Sequence, residues 1–166
     1  MFQAESDITL EGSVFNLHAL NLVSFESRDD MLFDSLYETS FTAGNIRAQA
    51  TNSMIFGTSG EIDFNAGSEL NLFTRSSLSL SGVDIGLEAE NGDIYLLAGE
   101  ELSLISSQVI IDGIHGLSVE AAGSLDFNTV NDFYFYTTTL DAFVDHDIVF
   151  DFDVSIHKLF NLNPKY

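Results

Sequence analysis

Pairs of apolar or β-prone residues, spaced i and i+2, recur about every eight positions along almost the whole chain. Nineteen such pairs begin at positions 8, 15, 23, 31, 39, 46, 54, 62, 70, 78, 85, 94, 102, 109, 117, 125, 133, 140 and 148. They include Ile8/Leu10, Val23/Phe25, Met31/Phe33, Ile62/Phe64, Leu70/Leu72, Leu102/Leu104 and Ile148/Phe150. Residues i and i+2 of a strand point to the same side, so each pair with its polar centre makes a short strand with one dry face. A helix would need apolar residues at i+3 and i+4, and that spacing is absent inside the units. The residues between pairs, as in Asn65-Ala66-Gly67-Ser68 and Ala98-Gly99-Glu100, are small or polar and suit turns.

One octad cannot bury its apolar side alone, but stacked octads form a continuous core. The expected fold is therefore all-β: a β-helix, or β-solenoid, of about nineteen octads, running from 8 to 155. A lead-in at 1–7 precedes it, and a cap or docking tail at 156–166 follows. Of the eighteen intervals between pairs, twelve are eight residues, five are seven and one is nine. An odd interval would turn the next pair outward, so these are expected at turns of altered length. On this register Leu72 and Leu104 face inward, and Asn71 and Ser103 face outward.

The only proline, Pro164, lies beyond the last pair, as it should if every strand donates its N–H groups to a neighbour. There is no cysteine, which excludes disulfides and thiolate metal sites. The first seven residues have neither the basic nor the apolar stretch of a secretory signal. No apolar run approaches the ~18 residues of a membrane helix, so no stable membrane insertion is expected.

Twenty-six acidic residues stand against Arg28, Arg47, Arg75, Lys158 and Lys165, for a net charge of −21. Nucleic-acid binding needs basic groups against phosphates and is not expected. An acidic coat keeps a long β-rod soluble and discourages chance edge-to-edge pairing.

Signals for chemistry are few. His18, His115, His146 and His157 form no two-histidine ligand spacing and read as surface or turn residues. Within Asp145–Asp153, alternation places Asp147, Asp151 and Asp153 on one side of a strand, opposite Ile148, Phe150 and Phe152. Three carboxylates on one face suit Ca²⁺, which takes oxygen ligands, and these are the metal candidates; the competing reading is a solvated polar face. No nucleophile elbow or phosphate-binding lysine motif appears. No catalytic residue and no other cofactor is expected.

Stretches such as Gly60-Glu61-Ile62-Asp63-Phe64-Asn65-Ala66-Gly67 and Gly92-Asp93-Ile94-Tyr95-Leu96-Leu97-Ala98-Gly99 resemble the repeats of β-helical spike and fibre proteins of tailed phages, including the related VgrG-type secretion tips. The resemblance runs from about Asp7 to Asp153. A similar cadence occurs in the membrane-anchored sarcoglycan ectodomain, whose anchor is not seen here. In the spike family three identical chains intertwine into a stiff rod. Two features of that family are missing: an OB-like domain before the repeats and an H-x-H iron motif at the tip. The resemblance thus implies a fibre, sleeve or decoration protein more than a piercing tip.

Three octads coiled within one chain would give about six coils, roughly 30 Å high at ~4.8 Å per rung, with unpaired edges at both ends. Threefold association buries more surface, so a homotrimer, intertwined or side-packed, is expected. The function expected is a non-catalytic structural protein of a bacteriophage virion: a spike, fibre, or decoration or baseplate component on the tail or capsid surface, assembled in the host cytoplasm. Its partners would be other virion proteins and a host-surface receptor. The alternatives are a carbohydrate depolymerase using an acidic groove with aromatics such as Tyr134 and Tyr136, and a surface adhesin or extracellular scaffold.

Overall fold

A computed structural model describes residues 1–144 and 148–151. Within them the chain forms β1 (Phe2–Ala4), β2 (Ile8–His18), β3 (Leu22–Ser27), β4 (Met31–Ala43), β5 (Asn45–Ala50), β6 (Met54–Thr58), β7 (Glu61–Ala66), β8 (Leu70–Thr74), β9 (Leu78–Ser81), β10 (Asp84–Ala89), β11 (Asp93–Ala98), β12 (Glu101–Ala121), β13 (Ser124–Val144) and β14 (Ile148–Asp151). All fourteen join one sheet, and every pairing is parallel.

The register defines the architecture. Ile8 pairs with Met31, Met31 with Met54, Met54 with Leu78, Leu78 with Leu102, Leu102 with Leu125 and Leu125 with Ile148. These partners lie 23 or 24 residues apart, the length of three octads. Phe15, Thr39, Ile62, Ile85, Val109 and Phe133 form a second column. Val23, Ile46, Leu70, Ile94, Leu117 and Leu140 form the third. One chain therefore winds as a parallel β-solenoid of about six coils, with three faces and a strand from each face in every coil. β1 adds to the same sheet, Phe2 pairing with Phe25.

The paired residues fill the interior. Met31, Phe33, Met54, Phe56, Ile62, Leu70, Leu72, Leu80, Leu104 and Ile111 are wholly or almost wholly buried. On the second and third faces a third inward position, two residues past the pair, is buried and small in most coils. It holds Ala43, Ala66, Ala89 and Gly113 on the second face, and Ser27, Ala50, Thr74, Ala98 and Ala121 on the third. Here the side chain lies at the corner, next to the neighbouring face. Ala66 and Ala98, expected in turns, are thus the last core residues of their strands.

The first-to-second-face corner uses small hydroxyl residues instead. Ser35 and Thr39 share a 3.0 Å hydrogen bond across it, and the Ser106 hydroxyl donates to the Gln108 carbonyl at 2.7 Å. Such bonds satisfy polar groups that burial would otherwise leave costly.

Core volume differs from coil to coil. At the second position of the pair one coil holds Phe33, Phe41 and Ala48. The next coil has Phe56, Phe64 and Leu72, and the one after has Leu80, Leu87 and Leu96.

Intervals of odd length are absorbed at corners. The seven residues from Ile8 to Phe15 lie beside the eight from Met31 to Thr39, and a bulge between Gly12 and Val14 takes up the difference. Bulges at Ser106/Gln108 and Gly113/Gly116 do the same where β12 lies along β13. The strand then re-enters the next face in phase, as a bulge permits. β12 pairs in succession with β9, β10 and β11, so its 21 residues make nearly a full coil. Ser103 departs from its expected exposure: it faces outward between Ser79 and Asp126 but is only 8% exposed.

Candidate functional site

The densest electrostatic feature lies outside the second face, where β4, β7 and β10 run side by side. Outward residues alternate with the core pair, so each strand contributes a row of three. Glu38, Ser40 and Thr42 pair with Glu61, Asp63 and Asn65. These in turn pair with Asp84, Gly86 and Glu88. Glu38, Glu61 and Asp84 therefore form a carboxylate ladder at the ~4.8 Å strand spacing, and Asp63 stands beside it at the centre of the patch.

Asp63 is half-buried. Gly86 leaves the room it occupies, since a Cβ there would lie 3.3 Å from Asp63 Oδ1. Burial pushes the Asp63 carboxyl above the ordinary carboxylate range, and the negative charges of Glu61, Glu88 and Glu38 push it further in the same direction. Asn65 donates to Glu88 at 3.2 Å, holding one edge of the patch. The described arginines stand elsewhere. Arg47 lies outside the third face and donates to Gln49 at 2.8 Å, while Arg28 and Arg75 occupy the corner between the third and first faces. Chemically, the patch can take up protons and attract mobile cations.

Further along the same face the central outward row becomes apolar: Gly86 pairs with Ile110, and Ile110 with Tyr134. The Tyr134 and Tyr136 rings stack, their centroids 6.1 Å apart and their planes 10° from parallel. The two tyrosines named for a sugar-binding groove thus share the second face with the acidic patch but lie beyond it along the rod. On the third face the Tyr95 hydroxyl donates to Asp93 at 3.0 Å, which holds the phenol above its ordinary range. At the amino-terminal end of that face, Gln3, Ala4, Glu5, Glu26 and Arg28 line a polar hollow of about 320 Å³.

The Ca²⁺ candidates fall mostly outside the described residues: Asp147 and Asp153 are not among them, and of Asp151 only the backbone pairing with Asn128 is described. Among the described residues no group of three or more His, Asp or Glu is placed to hold a metal ion. His18 and His115 are exposed, and the His115 carbonyl accepts from Thr139 at 3.3 Å. His146 and His157 lie outside the described residues.

The acidic ladder was not singled out from the sequence, although a signal for it exists. Glu38, Glu61 and Asp84 recur at 23 residues, three octads rather than one. Within a single octad they are ordinary polar flanks.

The fold and its surface define a class, a parallel β-solenoid with one strongly acidic face. Compared with known proteins, no family model matches the chain, and neither a curated protein nor a solved structure matches it.

Proposed function

We propose that this chain is a non-catalytic structural protein of a tailed-phage particle, a spike, fibre or decoration protein that works as a homotrimer. The observation that carries the reading is the uninterrupted coil. Among the described residues, no connection between consecutive described strands exceeds three residues, from β1 to the end of β13. Binding and catalytic groups are usually mounted on longer loops held by a scaffold; here the chain is spent on the scaffold. Parallel pairing in every coil and a core continuous from Val23 to Phe127 suit a stiff element that transmits force or sets a distance. The acidic exterior suits a rod displayed at high density without chance aggregation.

Particles purified from the source host decide the matter. Mass spectrometry and immunogold labelling are expected to place the chain on the tail or capsid surface in multiples of three. Its recovery only as free protein, absent from particles, overturns the proposal. Release of oligosaccharides from host-surface polysaccharide would replace it with the depolymerase reading.

A further inference from the structure

Large exposed apolar side chains are distributed unevenly around the rod. The corner joining the third face to the first holds Asp29, Asp30, Thr51, Asn52, Ser76 and Glu100 and, among the described residues, none of the large exposed apolar ones. It is laced to itself: the Ser53 amide donates to Asp30 Oδ1 at 2.9 Å and the Ser76 hydroxyl to Glu100 at 2.9 Å. The corner joining the first face to the second is the opposite. Leu36 and Tyr37 stand there, 58% and 66% exposed, followed along the rod by Val83 at 47%, Ile105 at 45% and Val130 at 75%.

Hydrogen bonds between successive coils show that these residues form one line. The Ser59 hydroxyl donates to the Leu36 carbonyl. The Val83 amide donates to the Gly60 carbonyl at 2.7 Å, and the Ser107 amide to the Val83 carbonyl at 2.8 Å. Val130 lies in the bulge that faces Ser107 in the next coil. The line carries large side chains at Tyr37, Val83 and Val130 and small ones at Gly60 and Ser107, with Ile105 exposed close to Ser107 in the same coil. Gly60 cannot be enlarged, because a Cβ there would run into the Tyr37 carbonyl.

We propose that this corner is the surface along which copies of the chain pack side by side. The inference rests on the reading of the chain as a homotrimeric rod and assigns its interface. Two observations identify the occupant as a second copy. First, the exposed apolar residues follow the corner from Val14 through Leu36, Tyr37, Val83 and Ile105 to Val130, so a partner must present apolar residues over the same length, as the chain itself does. Second, the corner residues are uncharged on a chain of net charge −21, while the carboxylate ladder of Glu38, Glu61 and Asp84 runs just beside them. Two such rods repel over the acidic face and meet with least opposition along this line. Three copies set level about an axis parallel to the rods bring Tyr37, Val83 and Val130 into three successive apolar layers. Gly60 lies between the first two layers, and Ile105 continues the apolar surface between the second and the third. Exposed apolar side chains gathered along one line are the ordinary mark of an interface.

The test uses the full chain and its mass in solution at micromolar concentration. Wild-type protein is expected at three times 18.2 kDa. Val83→Asp with Val130→Asp is expected to lower the mass threefold with an unchanged circular-dichroism spectrum, whereas Thr51→Asp at the opposite corner leaves it intact. Because the chain lacks cysteine, Val83→Cys supplies a measurement that does not depend on the aspartate variants folding. Oxidation is expected to link two chains at position 83 and none in Thr51→Cys. A wild-type trimer that the aspartate changes leave whole, or equal cross-linking at both positions, overturns the interface while sparing the trimer. A wild-type dimer split by the same changes overturns the trimer and keeps the interface. A wild-type monomer overturns both.

Discussion

Phe33 and Phe56 lie face to face in adjacent coils, their ring centroids 4.6 Å apart and their planes 10° from parallel. Each also meets Phe41 edge-on, at 5.6 Å and 6.2 Å, and Phe56 meets Phe64 edge-on at 5.1 Å. Stacking within a column and edge contacts between columns are the two favourable geometries for phenyl pairs. The solenoid register supplies both at once.

Phe56→Ala removes the ring at the centre of this cluster, and its site is fully buried. Because the flanking coils are fixed by their hydrogen bonds, the cavity cannot close. A loss of about 3–5 kcal/mol is expected, read by urea or thermal denaturation. Ala48→Leu tests the same packing from the other side, since its coil already holds Phe33 and Phe41; overpacking there is expected to cost about 1–3 kcal/mol.

Leu72 and Leu104 are fully buried, so Leu72→Asp or Leu104→Asp places an unpaired carboxylate in the core and is expected to abolish folding. Asn71 faces outward, half-buried, and donates to Glu69 at 3.4 Å. Asn71→Ala is expected to change stability by no more than about 1 kcal/mol. Circular dichroism on both classes of variant checks the inward and outward assignments. Equal behaviour would refute them.

Two threonines should respond to valine in opposite senses. Thr129 is buried and its hydroxyl has no hydrogen-bond partner, so Thr129→Val is expected to be neutral or to stabilise by about 1 kcal/mol. Thr39 is equally buried but bonded to Ser35. Thr39→Val strands the Ser35 hydroxyl and is expected to cost about 1–3 kcal/mol. Paired melting curves decide between the two signs.

The raised Asp63 pKa gives a defined pH response. The folded chain holds this proton more tightly than the unfolded chain, so the group's destabilising effect is full above the folded pKa and vanishes below the unfolded value, near 3.8. Stability at this site should therefore rise as pH falls from neutral through the raised pKa. Asp63→Asn is expected to stabilise the protein at pH 7 and to flatten this part of the profile. The measurement is denaturation midpoint against pH for both proteins; a variant whose profile parallels the wild type would remove Asp63 as the cause.

Stacked like charges also predict a salt response. At 0.1 M ionic strength the Debye length is ~10 Å, about two rungs, so NaCl weakens the repulsion along the Glu38, Glu61 and Asp84 ladder in part and screens it further as its concentration rises. The melting temperature should rise between 0.05 and 0.5 M NaCl. Millimolar Ca²⁺ that raises it beyond NaCl of equal ionic strength would support a bound ion, and Asp147→Asn with Asp151→Asn is expected to abolish any such excess.

The amino-acid sequence by itself determined the all-β fold, the octad and the inward faces. Those follow from the period-2 alternation of side chains on a strand, a local property that Leu70/Leu72 or Leu102/Leu104 displays without reference to the rest of the chain. Tertiary structure decided what happens between octads. Ala66 and Ala98 look like turn residues in sequence, because only the meeting of two faces makes a corner position both buried and small. Ser103 looks exposed, yet it is covered in the folded rod. Coil closure after three octads places Glu38, Glu61 and Asp84 in one ladder and Tyr37, Val83 and Val130 along one corner. Residues 23 or more positions apart have no local reason to be neighbours, and the winding of the chain, set by packing in the core and bulges at the corners, brings them together.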